Sequence, residues 1–199
     1  MEAIETKTIN QNGQTFRIRM YADTDAPNPL EDWDEMGTIL SLNRRHVNFD
    51  PDGIDAATLD NTDAVRLSYY EHALCLWSVA GELPAAARCP WDSVGFAGIW
   101  LPDSDTLESA KRYGGRTRQL FMRRRARQAC EVYTQWCNGQ VYGYEVALIT
   151  VCPCCQQEQS RPLESCWGFF GMESCLTEAA AAVEAGHPTG GDDCALQTP

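Results

Sequence analysis

The chain has 199 residues, 44% of them hydrophobic, and no apolar run near the roughly 20 residues a membrane helix needs, so a globular protein with one ordinary core is expected and no membrane partner. Ten cysteines, with no export signal in MEAIETKTINQNG, argue against a disulfide-stapled fold and for reduced thiols in the cytoplasm. A net charge of −12 repels phosphate backbones, which makes direct nucleic-acid binding an unfavoured reading and favours basic or nucleic-acid-binding proteins as partners.

Residues 1–14 read as a flexible N-terminus, 15–186 as a single α+β domain and 187–199 as a flexible tail. Within the domain, Thr15–Ala22 alternates apolar and polar residues around Phe16, Ile18 and Met20, which predicts a half-buried strand at the outside of a sheet. The following DTDAPNPLEDWDEMG reads as a loop anchored by Trp33, because Pro27 and Pro29 interrupt regular structure. Thr38–Leu42 fits a strand or a helical turn equally well. Asn48–Asp63, dense in Asp, Asn, Gly and Pro, reads as an exposed loop; its DPDGID lacks the oxygen spacing of a calcium loop. Val65–Ala80 carries both periods and leaves helix and strand open, whereas FAGIWL, 96–101, between Gly95 and Pro102, reads as a buried strand.

Helical signals begin after Pro102, where Asp105 and Glu108 form an acidic capping pair ahead of a short helix that ends at Gly114-Gly115. Arg116–Asn138 then places Met122, Ala126, Ala129, Cys130, Tyr133, Trp136 and Cys137 on one face and stops at Gly139. The β-branched and aromatic VYGYEVALITV, 141–151, predicts a strand, with SCWGFF, 165–170, returning beside it through CPCCQQEQSRP. Leu176–Ala185 is an alanine-rich helix. The expected architecture is therefore α+β, an antiparallel sheet of about four to five strands, including those near 16, 96, 141 and 166, packed against the long helix and one or two shorter ones.

Charge and thiols give the candidate sites. Residues 111–127 hold eight bases and no acid, and the long helix there carries Arg116, Arg123, Arg124 and Arg127 opposite its apolar face. A basic face of this kind could neutralise phosphates, but acidic flanks and the absence of stacking aromatics favour internal ion pairing. The acid-rich stretch Asp23, Asp25, Glu31, Asp32, Asp34, Glu35, Asp50, Asp52 and Asp55 reads as a partner-binding surface. Zinc is the one cofactor considered: Cys152 and Cys155 have knuckle spacing, and Cys166 and Cys175 would complete four thiolate ligands, against the alternative of packed, reduced cysteines. Glu71, His72 and Asp92 are candidates for a hydrolase or transferase cleft, although no phosphate-cradling loop, nucleophile elbow or metalloprotease motif accompanies them. The preferred reading of Asp92 is a turn-forming acid, anchored near the core by Trp91.

Four stretches in order, DAPNPLEDWDEMGTI (25–39), YYEHALCLW (69–77), CPWDSVGFAGIWL (89–101) and GQVYGYEV with SCWGFFG (139–146, 165–171), resemble a family of uncharacterised proteins encoded by bacteriophages, plasmids and integrated mobile elements. The sequence departs from the family pattern at Glu35, Glu71 and Glu164, and lacks a glycine and a glutamine after Ser93. The cysteines at 152–155 are not general among the relatives. The resemblance implies a mobile-element setting rather than a reaction. By analogy it implies a non-enzymatic accessory protein that binds a host protein and could inhibit a defence complex by mimicking nucleic-acid charge.

Overall fold

The computed structural model describes residues 1–185 except the side chain of Asp32; the tail expected at 187–199 lies outside the described residues. In chain order the elements are β1 (Glu5–Gln11), β2 (Gln14–Ala22), α1 (Pro29–Asp32), β3 (Thr38–Ser41), α2 (Ala56–Asp60), β4 (Val65–His72), β5 (Leu74–Val79), β6 (Ser93–Leu101), α3 (Ser104–Ala110), α4 (Gly115–Cys137), β7 (Val141–Val151), β8 (Glu158–Phe170) and α5 (Met172–Ala185). The α+β class stands, but the strands form two antiparallel sheets of four, ordered β1-β2-β7-β8 and β3-β6-β4-β5, instead of one. The chain accordingly divides into two compact units, Met1–Thr24 with Val141 onward, and Asp25–Gln140, where one domain over 15–186 was expected. The physical reason is that each sheet buries one face against a helix of its own, which closes two separate cores.

In the first unit, β2 and β7 pair so that Phe16, Ile18 and Met20 stand opposite Leu148, Val146 and Tyr144. This row packs against Cys175, Ala179, Ala182 and Val183 of α5, so α5 covers the sheet that the 116–138 helix was expected to cover. The N-terminus is not loose: β1 pairs with β2 from Gln14 to Met20 through a two-residue Asn12-Gly13 turn with both residues at positive φ, as a type I′ hairpin requires. β2 is thus an inner strand rather than an outer one. On the other side, β8 extends back to Glu158, well beyond the expected 165–170. Within it Trp167 lies over Gly143 and stacks on Tyr21 at 5.7 Å.

In the second unit, Val65–Ala80 resolves into the β4–β5 hairpin, turning at Ala73 with φ 66°, because Leu67, Tyr69, Trp77 and Val79 share one buried face only with period two. Against that face α4 sets Met122, Ala126, Ala129, Cys130 and Tyr133. Its small residues let helix and sheet approach closely. The loop between β3 and β4 contains the one-turn α2, capped by Asp55, whose carboxylate accepts the Thr58 N–H at 2.8 Å. The cap of α3 is Asp103, not Asp105: its oxygens take the Thr106 N–H at 2.8 Å and the Gly37 N–H at 3.1 Å, so one carboxylate fixes both the helix and the entry to β3.

Gly143→Ala is expected to lower stability by about 1–3 kcal/mol, because the added methyl would sit 2.1 Å from the Trp167 ring and the stack on Tyr21 would have to open. Denaturant unfolding of the variant, with Gly95→Ala as a control at an open position of ordinary φ, checks this.

Candidate functional site

The hydrolase trio does not converge. His72 Nδ1 and Asp92 Oδ2 lie 3.3 Å apart, but the His72 side chain is 71% exposed. Glu71, its neighbour on β4, points to the opposite face, where its carboxylate accepts the Tyr69 hydroxyl at 3.1 Å. Trp91 does not anchor Asp92 near a core: it is 92% exposed.

The four-cysteine ligand set also separates. In register, Cys166 stands opposite Tyr144, about 25 Å along the strand from the β7–β8 turn, and Cys175 is buried on the sheet-facing side of α5. Cys154 takes their place, and the ligand sulfurs of Cys152, Cys154 and Cys155 all lie within 4.8 Å of one another. Pro153 and Gln156, the latter at φ 59°, fold the turn, and the Gln156 N–H closes it on the Cys152 carbonyl at 2.9 Å. Hydrogen bonding from the Cys154 thiol, helped by the Cys155 and Cys154 N–H groups, pulls the Cys152 thiol down to about 6. Three sulfurs, one already favoured as thiolate, form a cluster that could hold a metal ion.

The basic helix is largely spent inside its own unit. Arg123 and Arg127 both reach the Glu82 carboxylate, at 2.6 and 2.9 Å, Arg118 grips Asp63 with two hydrogen bonds of 2.7 Å, and Arg125 pairs with Glu35 at 2.5 Å. Arg116 and Arg124 remain exposed. Of the acid-rich stretch, Asp23 belongs to the first unit and the rest to the second. Glu35 is consumed by Arg125, Asp50 by the Gly53 N–H at 2.9 Å, Asp55 by its cap, and Glu31 accepts from Asn28 at 3.0 Å. Asp25, Asp34 and Asp52 are exposed and make no ion pair or side-chain hydrogen bond among the described residues.

Sequence reasoning missed a concavity of about 430 Å³ in the second unit, lined by Arg45, His46, Tyr69, Glu71, Cys75, Trp77, Tyr133, Trp136, Cys137 and Asn138. β5 is an edge strand, and α4 closes its free edge with side chains: Thr134 Oγ1 accepts the Trp77 N–H at 2.9 Å, Asn138 Oδ1 accepts the Cys75 N–H at 2.9 Å, and Asn138 Nδ2 donates to the Cys75 carbonyl at 3.0 Å. His46 packs edge-on against Tyr69 and Trp77, with ring centroids 4.5 and 5.0 Å away. Burial lowers its pKa, so the ring is neutral at pH 7. Asn43, oriented by accepting the Arg45 N–H, donates to Nε2 at 3.3 Å, which leaves Nδ1 to donate to Ser41 Oγ at 2.7 Å. Both nitrogens are thereby committed, and His46 shapes the wall. Cys75 is different. It lines the concavity together with Cys137 and Tyr69, whose side chains hold its pKa down although burial and Glu71 oppose this, while Cys137 is pushed up. A lone histidine and two distant cysteines carried no spacing signal by which the concavity could have been found.

Comparison with known protein families, with curated proteins and with solved structures returns no match.

Asn138→Ala is expected to cost about 1–3 kcal/mol by stranding the Cys75 N–H and carbonyl, measurable by urea unfolding. A second expectation concerns pH. Arg118 holds Asp63 below the usual carboxylate range, and Arg127 with Arg123 does the same for Glu82, so their stabilisation is complete above about pH 4.5 and lost as pH falls. The depressed His46 acts in the same direction from about pH 6.5 downward, because the unfolded chain takes up that proton first. Thermal midpoints should therefore fall on acidification, and less steeply below pH 4.5 in Asp63→Asn, whose side chain no longer titrates.

Proposed function

We propose that this chain is a non-enzymatic accessory protein of a mobile genetic element, acting in the host cytoplasm by binding a host protein, in the sharpest form a nucleic-acid-binding defence complex that its acidity mimics a ligand for. The observation that carries the reading is the internal use of the basic helix: Arg118, Arg123, Arg125 and Arg127 are paired with acids of their own unit, while Asp25, Asp34 and Asp52 are left exposed and without partners among the described residues. Negative potential not cancelled within the fold steers association with basic surfaces. The exposed indole of Trp91 adds the kind of anchor on which protein interfaces concentrate their energy. No helix among the described residues is long and apolar enough to cross a membrane. The ordered set of segments resembling mobile-element proteins supplies the setting.

For the Cys152, Cys154 and Cys155 turn we propose zinc, held by three thiolates with the fourth corner filled by solvent or by a donor from the partner. Neither earlier alternative has a comparable observation behind it. Glu71 faces away from His72 and Asp92, and most arginines of the helix that would contact nucleic acid are already paired.

The chain should co-elute with a host restriction or defence complex, in a manner that weakens as salt rises. The triple change Asp25→Asn, Asp34→Asn, Asp52→Asn should weaken capture about tenfold or more, and Trp91→Ala by a similar factor. No co-elution with such complexes, together with unchanged phage plating, would remove the anti-defence reading. Metal analysis of protein purified under reducing, chelator-free conditions should give one zinc per chain, lost in Cys152→Ser; less than one equivalent rejects the metal assignment.

A further inference from the structure

The concavity of the second unit holds chemistry that partner binding does not use. Asn138 clamps Cys75 through both backbone polar groups, and Cys137 immediately precedes that asparagine at the end of α4. The clamp therefore fixes two cysteines, distant in sequence, on one wall of an open cavity of about 430 Å³. Trp77, Tyr133 and Trp136 give that cavity aromatic surfaces, with Tyr133 and Trp136 stacked at 5.7 Å. A concavity that combines aromatic walls with convergent polar groups, here Arg45, His46, Glu71 and Asn138, can hold a small molecule with an aromatic and a polar part.

We propose that Cys75 and Cys137 form a thiol pair that reduces an organic hydroperoxide, aromatic in its organic part, bound in this concavity. The Cys75 sulfur attacks the terminal peroxide oxygen. The O–O bond breaks, the alcohol leaves with the Cys75 proton, and Cys75 becomes a sulfenic acid. Cys137 then attacks that sulfur, the S–S bond forms and water leaves. Both thiols are oxidised, the peroxide is reduced by two electrons, and the products are one alcohol, one water and one disulfide. Return to the dithiol requires an external dithiol, so the fold itself delivers a single turnover.

The electrostatics agree with this division of roles. The neighbouring Cys137 lowers the pKa of Cys75 and is itself raised, so Cys75 is the thiol that attacks and Cys137 keeps its proton until the second step. Tyr69, whose hydroxyl donates to the Glu71 carboxylate at 3.1 Å, lines the concavity with Cys75 and helps to lower its pKa. The groups facing the pair are Tyr69 and Glu71 from β4, Tyr133 from α4, and Arg45 and His46 from the loop after β3. Tyr69 is a positioning residue.

The test uses the full chain carrying Cys152→Ser, Cys154→Ser and Cys155→Ser, so that the thiols of the β7–β8 turn do not compete. After reduction and removal of reductant, cumene hydroperoxide is added and tryptic peptides are analysed by mass spectrometry. A Cys75–Cys137 cross-link, formed with one peroxide consumed per chain, is expected. Adding Cys137→Ser should leave a dimedone-reactive sulfenic acid on Cys75, and adding Cys75→Ser should abolish consumption. Tyr69→Phe should shift the pH midpoint of the reaction upward while the fold, followed by circular dichroism, is kept. Absence of the cross-link, or consumption undiminished in the Cys75→Ser chain, overturns the pair. Cumene hydroperoxide should react about tenfold faster than hydrogen peroxide, as burial of one ring would give; equal rates overturn the aromatic substrate class.

Discussion

Much of the second unit depends on how α4 closes the edge of β5. An edge strand presents unpaired N–H and C=O groups that would otherwise recruit another strand. Thr134 and Asn138, one turn apart on the helix, supply the missing partners to Trp77 and Cys75. The same contacts fix the register between helix and sheet, set Met122, Ala126, Ala129, Cys130 and Tyr133 into the core, and bring Cys137 to the wall that carries Cys75. Stability, the end of the sheet and the shape of the concavity thus rest on two polar side chains.

Charge is used with similar economy. The arginines flanking the apolar stripe of α4 meet Asp63, Glu82 and Glu35, which come from three different loops of the unit. Partly shielded pairs of this kind hold loops to a helix without requiring those loops to have cores of their own. What remains outside is a surplus of carboxylates, and the proposed function rests on that surplus rather than on any single acid.

The nine cysteines among the described residues are all free, yet their environments give them different chemistry. Cys130 and Cys175, sealed into the two cores, are pushed up to about 12 and about 11 by burial and act as small apolar residues. Cys152 is pulled the other way because a tight turn aims thiol and N–H donors at it. Cys75 and Cys137, on one wall of the concavity, are shifted in opposite directions, Cys75 down and Cys137 up. Thiol count alone records none of these differences; the chemistry of each thiol is set by what surrounds it.

Wherever one periodicity governed a segment, the sequence alone determined its structure. The alternation of Thr15–Ala22, the β-branched run at 141–151 and the three-and-four spacing along 116–138 all became the expected elements, because each pattern places apolar side chains on one face by local geometry. The Asn12-Gly13 signal for a tight hairpin was equally local and would have moved the N-terminus from flexible to paired. Tertiary structure alone decided which helix covers which strands, whether Val65–Ala80 is a hairpin, and which ionisable groups meet. Cys75, Cys137, His46 and Glu71 come from separate elements, and sheet pairing and helix docking join them over distances that no sequence spacing records. Local pattern fixes the face a side chain takes, whereas a site depends on which faces are brought together, and that is settled only when the two cores close.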